Sequence, residues 1–247
     1  MSGEASRIRK VAALELTYKP QSWAFAEERA ADILAHWSKA KAAKPSLFDG
    51  KVLLMSAHEF IMRADGQTIL RGQYLKTDYK AFLAWRDLGF PDRSVRNGFA
   101  MAALQSSDGA YLLGEMGSHT ANAGSVYFAA GTPDENDLFG DRVDLRASVL
   151  RELEEETGIR SSDIVVAADW ILVDAPPRIA CLKPVRSAED AKTLKARIEA
   201  HLASEATPEL ARIHIVRSTA DINETRMPRF IVDFLRHAFS EDHISVG

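Results

Sequence analysis

The sequence predicts an α/β (α+β) fold, on three observations. Extended apolar runs alternate along the chain with segments whose apolar residues recur at helical spacing, which is the signature of sheet and helix packed in layers. Turn residues (Lys44-Pro45-Ser46, Asp65-Gly66, Ser107-Asp108-Gly109, Pro176-Pro177) fall between those runs rather than inside them. With 247 residues, 46% hydrophobic and 27% charged, the chain is long enough and ordinary enough in composition to bury a substantial core.

Taken in order, Ile8 to Leu16 reads as a first strand. Ala26, Ala30, Ile33, Leu34 and Trp37 mark one face of a helix from about Ser22 to Ala43. Lys51 to Arg63 and Thr68 to Leu75 read as strands around the Asp65-Gly66 turn. Thr77 suits the N-cap of a short helix that turns Phe82, Leu83 and Leu88 inward. Phe99 to Gln105 and Ala110 to Met116 form a hairpin, and Ser125 to Ala130 a further strand. A polar stretch to Arg142 then leads into a glutamate-rich helix. Ile164 to Val173, Arg178 to Val185 and Arg212 to Val216 read as strands. Ala191, Leu194, Ile198 and Leu202 define one amphipathic helix. Phe230, Ile231, Phe234, Leu235 and Ala238 define a terminal one opened by Pro228. The composition divides near residue 95 into an N-terminal α/β region, 1–95, and a main domain, 96–247.

The net charge of -4 gives no general attraction for nucleic acid or for an anionic membrane, and neither is expected as a partner. The seven histidines have no metal-ligand spacing, and the lone Cys181 sits in a strand-like run as a core thiol. Met1 to Lys10 is polar and basic without an apolar stretch, so it does not read as a secretory signal. No run approaches the roughly 20 apolar residues that span a bilayer. A soluble protein of a reducing, cytoplasmic compartment is the expectation.

The chemistry concentrates between Arg151 and Ile159, Arg-Glu-Leu-Glu-Glu-Glu-Thr-Gly-Ile. A helix from about Leu145 to Thr157 would be capped by Asp144, present Leu145, Val149 and Leu153 inward, and stop at Gly158 in the left-handed conformation. Glu152, Glu155 and Glu156 then stand at i, i+3 and i+4, so that three like charges share one patch. A hard divalent cation, Mg²⁺ or Mn²⁺, resolves that repulsion, because carboxylate oxygens are the ligands such ions prefer. Glu154 points away, and Arg151 has the fork geometry to hold a glutamate or reach a phosphate.

This segment resembles the core of the Nudix box, whose full pattern is G-x5-E-x7-R-E-Φ-x-E-E-x-G-Φ. The resemblance implies a Nudix-type α/β/α sandwich with a mixed sheet, with the N-terminal region packed on it or part of it. It implies metal ligation by Glu152, Glu155 and Glu156, with Glu155 or Glu156 also able to activate water and Arg151 in the catalytic group. Phe128-Ala129-Ala130-Gly131 corresponds to the loop before the box, where Ala130 would offer a carbonyl to the metal. Two departures stand out. Nineteen residues separate Gly131 from Arg151 where the pattern has thirteen, an insertion of six, and Val143 occupies the position of the first box glutamate. Glu135, Asp137 or Asp141 would have to supply a substitute carboxylate.

The resemblance implies metal-dependent hydrolysis of a small-molecule nucleoside diphosphate derivative to a nucleoside monophosphate and a phosphorylated product. The lengthened loop, with Leu47 to Gly50 and Leu75 to Leu83 upstream, is similar to the branch that hydrolyses UDP-glucose and UDP-galactose. ADP-ribose or an ADP-sugar is the alternative substrate, and a catalytically inactive nucleotide-binding regulatory protein the alternative class. Glu209 and Glu224 are distant candidates for a base outside the box. Tyr74, Phe90, Tyr127 and Trp170 are candidate base platforms that read first as core. His119, Arg226 and Arg229 are candidate substrate contacts that read first as surface residues.

Overall fold

The structure, a computed structural model, describes residues 6–242. Of the polar amino-terminal segment, 1–5 lies outside the described residues. The chain forms thirteen strands and six α-helices among the described residues: β1 (Arg7–Val11), β2 (Ala13–Tyr18), α1 (Ala24–Glu28), α2 (Ala30–Ala43), β3 (Lys51–Met62), β4 (Thr68–Asp78), α3 (Tyr79–Asp87), β5 (Asn97–Gln105), β6 (Tyr111–Met116), β7 (Val126–Tyr127), β8 (Leu138–Phe139), β9 (Arg142–Val143), α4 (Leu145–Thr157), β10 (Ile164–Val166), β11 (Trp170–Ala175), β12 (Arg178–Ser187), α5 (Ala191–Ser204), β13 (Leu210–Val216) and α6 (Arg229–Asp242).

Both sheets are mixed. The larger, eight-stranded sheet runs β1-β11-β12-β5-β6-β13, with β10 on β12 and β7 on β6. Its β5 and β12 are parallel and its other pairs antiparallel. The smaller sheet runs β3-β4-β2-β9-β8, with β2 and β4 parallel. Strands from both sides of residue 95 enter both sheets: β1 pairs with β11, and β9 pairs with β2. The expected strand Ile8 to Leu16 is therefore two strands, broken at Ala12, whose N–H turns to Thr68 O at 2.8 Å. No glycine or proline marks that break, because it is imposed by two sheets competing for one run.

Alternation along β3 shows how the layers meet. Leu53 and Met55 join Leu16, Leu70 and Tyr74 in the main core, where the smaller sheet packs on the larger. Val52 and Leu54 point the other way, with Leu75, into a second cluster against Trp23, Phe25, Ile33, Phe82 and Trp85 of the N-terminal helices. The expected helix over about 22–43 is interrupted at Arg29, and Leu34, expected inward, is exposed. Thr77 is buried inside β4, which runs to Asp78, and Leu88 is exposed past the end of α3. Ile164 to Val173 likewise splits into β10 and β11, both paired to β12. Of Ser125 to Ala130, Val126 and Tyr127 alone are strand.

Around the larger sheet, α4 packs on β5 and α5, α5 lies over β13 and β6, and α6 packs on β11. Phe230 and Phe234 of α6 meet Phe99 and Tyr111 edge-on at 5.4 and 5.6 Å. Cys181 is fully buried in β12, and burial pushes its thiol up to about 12, as a core thiol should behave. Among the described residues no helix is long and apolar enough to cross a membrane.

Candidate functional site

The glutamate helix α4 begins and ends where its local signals put it. Asp144 accepts from Arg146 N and Ala147 N, and Gly158 closes the helix at φ 69°. Leu145, Val149 and Leu153 are buried, which fixes the rotation of the helix and aims its acidic face at one end of the sheet.

The six-residue insertion is ordered chain rather than an open loop. Leu53 N donates to Pro133 O, and Asp134 caps a 3-10 turn over Glu135–Asp137. β8 and β9 then form a hairpin about Gly140-Asp141, with Gly140 at φ 66°, a conformation only glycine adopts without strain. Gly-Asp between Leu138-Phe139 and Arg142-Val143 is a hairpin signal that the sequence already carried. Val143 is buried in that strand, so its position belongs to the core and has no room for a charge.

Of the three candidate substitutes, Asp137 is the one that meets the box. Its side chain is 2% exposed and accepts from Arg151 Nη2 at 2.7 Å and from Asp134 N at 3.1 Å. Glu135 is instead paired with Lys76 on the surface, and Asp141 is exposed in the hairpin turn. Arg151 also donates to Glu152 Oε1 at 2.9 Å and lies 3.8 Å from Glu155. It is thus a brace between the inserted segment and the glutamates.

The three clustered glutamates have different surroundings. Glu155 is exposed, its side chain 61% accessible. Glu152 lies against Gly131, where a Cβ would stand 2.6 Å from its Oε1, so that any side chain at 131 would displace the carboxylate. Burial pushes the Glu152 carboxyl up to about 7, opposed by Arg151 and helped by Glu155, Asp137 and Glu209. Glu156 is 5% exposed; its Oε1 accepts from Ala130 N at 3.1 Å and its Oε2 is buried with no partner. Burial, with Glu209 and Glu152 nearby, holds its carboxyl well above the usual carboxylate range. Ala130 therefore meets the glutamates through its N–H.

Glu209, in the turn before β13, borders the same cleft as Glu152, Glu155 and Glu156. Its backbone carbonyl holds Gly117 N at 2.7 Å, which fixes that turn beside the 117–124 loop. No spacing in the sequence links Glu209 to residues more than fifty positions away; the β6–β13 pairing brings them together. Glu224 is elsewhere, paired with Arg236 at 2.5 Å.

A cleft runs from this acidic edge inward. Its outer part, about 460 Å³, is bordered by Phe48, Lys51, His119, Asp134, Glu152 and Glu209 among others. Its inner part, about 270 Å³, lies among Tyr79, Phe82, Arg86, Asn97, Phe99 and Arg178. The two share Tyr79, Asn122, Tyr127 and the Ala130–Thr132 floor. Tyr127 is the expected aromatic that lines both parts, and burial pushes its phenol up to about 12. Tyr74 is core, its hydroxyl on Gly98 O at 3.1 Å, and Trp170 is core under Lys183. Phe90 backs Arg178 at 4.7 Å. Arg226 and Arg229 are taken up by Glu115 and Asp233, at 2.5 and 3.5 Å.

The donor set suits a hard divalent ion: one oxygen of buried Glu156 lacks a partner, and four further carboxylates, Glu152, Glu155, Glu205 and Glu209, border the same edge. As the side chains stand, no three His, Cys, Asp or Glu groups among the described residues are gathered closely enough to hold one.

No protein-family model matches the chain, and no curated protein matches it. Among solved structures, it is similar to a Nudix hydrolase from M. smegmatis, RenU, at 14% identity and a TM-score of 0.40, over 62% of this chain and 88% of that one. It is similar to a C. elegans Ap4A hydrolase at 12% identity and a TM-score of 0.39, over 60% and 97%. It is also similar to a MutT protein from Methanosarcina mazei at 16% identity and a TM-score of 0.36, over 60% and 95%.

Proposed function

We propose that the chain is a Nudix-type hydrolase that cleaves the diphosphate linkage of a nucleoside diphosphate derivative with a divalent metal, Mg²⁺ or Mn²⁺. The observation that carries this reading is Glu156: a carboxylate buried to 5% exposure, with one oxygen unpartnered, on a helix that crowds Glu152 and Glu155 against it. A purely structural helix has no use for that crowding, which costs stability by like-charge repulsion and by burial of charge.

Glu152, Glu155 and Glu156 would hold the ion, with the Ala130 carbonyl a further oxygen on the same floor. When bound, it would neutralise phosphoryl charge and lower the pKa of water at the cleft edge. Ala130 N–H keeps Glu156 aimed at the cleft, and Arg151, braced by buried Asp137, keeps Glu152 in place. Glu155 or Glu209, both exposed at the edge, is suited to take the proton from an attacking water. Glu209 stays among the candidates for base on the strength of its position, buried Glu156 gives way to it, and Glu224 leaves them.

A nucleotide sugar such as UDP-glucose remains the preferred substrate, with ADP-ribose or an ADP-sugar as the alternative. A nucleotide-binding regulator without turnover is the second reading. It is favoured by the altered box, in which the lengthened loop and buried Val143 replace the usual approach and first glutamate. The deciding experiment screens nucleoside diphosphate sugars, ADP-ribose and dinucleotides with Mg²⁺ or Mn²⁺ and identifies the phosphate products. Turnover that is lost in Glu155→Gln/Glu156→Gln is expected. Turnover surviving that pair of changes would remove α4 as the catalytic centre, and tight metal-dependent binding without turnover would favour the regulator.

A further inference from the structure

The acidic edge explains the outer cleft and leaves the inner one without a role. No acidic side chain borders the inner part among the described residues, whereas Glu152 and Glu209 border the outer. Arg178 opens β12 directly beside Asn97, which opens the parallel β5. Its guanidinium lies 4.7 Å from the centre of the Phe90 ring, and among the described residues no carboxylate pairs with it and no acceptor takes its N–H groups. Arginine does not escape burial by losing its proton at any ordinary pH. Arg178 is half-buried at the cleft wall, and burial together with Arg86 works against its charge, which an anion in the cleft would relieve. Arg86 stands nearby on α3, held by Asp87 at 2.9 Å and Asn122 at 3.2 Å. Asn97 Oδ1 is buried with no partner. One wall of the inner cleft thus offers an unmatched cation, backed by an aromatic face that fixes its plane, and an unmatched acceptor.

We propose that the inner cleft seats a second anionic group of the substrate, a carboxylate or a phosphate carried on the moiety joined to the diphosphate. Arg178 receives that anion, Arg86 adds to the local field, and Asn97 accepts from a neighbouring hydroxyl. The scissile diphosphate itself belongs at the outer cleft beside the glutamates, and the Ala130–Thr132 floor joins the two positions. The proposal rests on the diphosphatase reading only for that second position; the anion seat stands on Arg178 and Asn97.

The test uses two matched pairs of ligands: UDP-glucuronate against UDP-glucose for a carboxylate, and 2′-phospho-ADP-ribose against ADP-ribose for a phosphate. Binding is measured without added metal in the Glu155→Gln/Glu156→Gln protein, which removes turnover and two of the charges that the ion would otherwise neutralise. Hydrolysis of all four is measured in the unmodified chain. In one pair or the other, the charged member is expected to bind about tenfold or more tightly than its neutral counterpart, the worth of one charge-assisted hydrogen bond. Arg178→Met, introduced into the binding background, should bring that ratio close to one, while Arg178→Lys retains part of it. The pair that shows the preference identifies the source of the anion. Ratios near one in both pairs overturn the proposal, as does an equal loss for both members in Arg178→Met, or failure of all four to bind below about 1 mM. The unmodified chain's own kcat/KM ratio keeps the test valid if Arg178→Met fails to fold. Turnover without charge preference sinks the anion seat alone. Charge preference in binding without turnover under any metal sinks the diphosphatase reading alone.

Discussion

Helices α4 and α5 lie against each other, are nearly equal in length, and start in the same way. Asp144 caps α4 through Arg146 N and Ala147 N; Asp190 caps α5 through Lys192 N and Thr193 N. Each buries a stripe of aliphatic residues. Their polar faces differ. On α5 three charges find partners: Lys195 and Glu199 pair with each other at 3.5 Å, and Arg197 pairs with Asp163 and Glu189. On α4 Glu154 pairs with Arg160, but Glu152 and Glu155 share Arg151, and Glu156, the most buried, has no ion pair among the described residues and an oxygen with no partner. A helix that only has to pack settles its charges locally. α4 does not, and α5 supports it, with His201 against Gly158 and its Nε2 3.1 Å from Glu155 O. On the proposed function, the contrast is that between a scaffold helix and one shaped for a ligand.

The largest expected effect exploits that contrast. Glu156→Gln keeps the shape of the side chain and can still accept from Ala130 N, but it offers no charge. Metal-dependent turnover should fall about a thousandfold, within the range for removing a group that handles protons or the ion they compete with. The melting temperature without metal should hold or rise, because a buried charge has been removed. Calorimetry beside a rate assay checks both. A variant that melts well below the parent yet turns over normally would make Glu156 structural, and α4 would then be no different in kind from α5.

Next comes the brace. Arg151→Met leaves Asp137 buried without its cation and should cost about 3 kcal/mol in denaturant unfolding, the usual penalty for breaking a buried pair from one side. Changing Asp137 to Asn in the same protein should restore part of the loss. Two independent, additive losses would mean that the inserted segment and α4 are not coupled through this contact.

The ends of α4 were legible because their causes are local: an aspartate before the first turn and a glycine after the last. The aliphatic stripe of α5 was legible for the same reason, since Ala191, Leu194, Ile198 and Leu202 carry their spacing with them. What could not be read is what folding brings from afar. Spacing alone gave no ground to prefer Asp137 over Glu135 or Asp141, because that choice depends on which of them the 3-10 turn points inward. Glu209 reaches the cleft by strand pairing, and Arg178 looked like an ordinary charged residue at the start of a strand. The break at Ala12 was invisible because no turn residue marks it. The hairpin at Gly140-Asp141 was different: its signal was present, and the polarity of the surrounding stretch hid it.

The smallest expected effect tests the settled side of the comparison. Asp108, in the β5–β6 turn, accepts from Ala191 N at 2.9 Å at the start of α5, and pairs with Arg217 at 2.8 Å. The Ser106 hydroxyl, then Arg217, hold its carboxyl down, from 3.8 to about 2. A lowered acid adds stability above its unfolded pKa and loses it as pH falls through the folded value. The parent should therefore exceed Asp108→Asn in stability at about pH 5 and above, and the two curves should converge between about 4 and 2. The difference should be modest, because the side chain is over a third exposed and solvent screens the pair. A gap that persists unchanged below pH 2 would trace the effect to lost turn geometry rather than charge. In that event α5, like α4, would depend on something other than locally balanced charges.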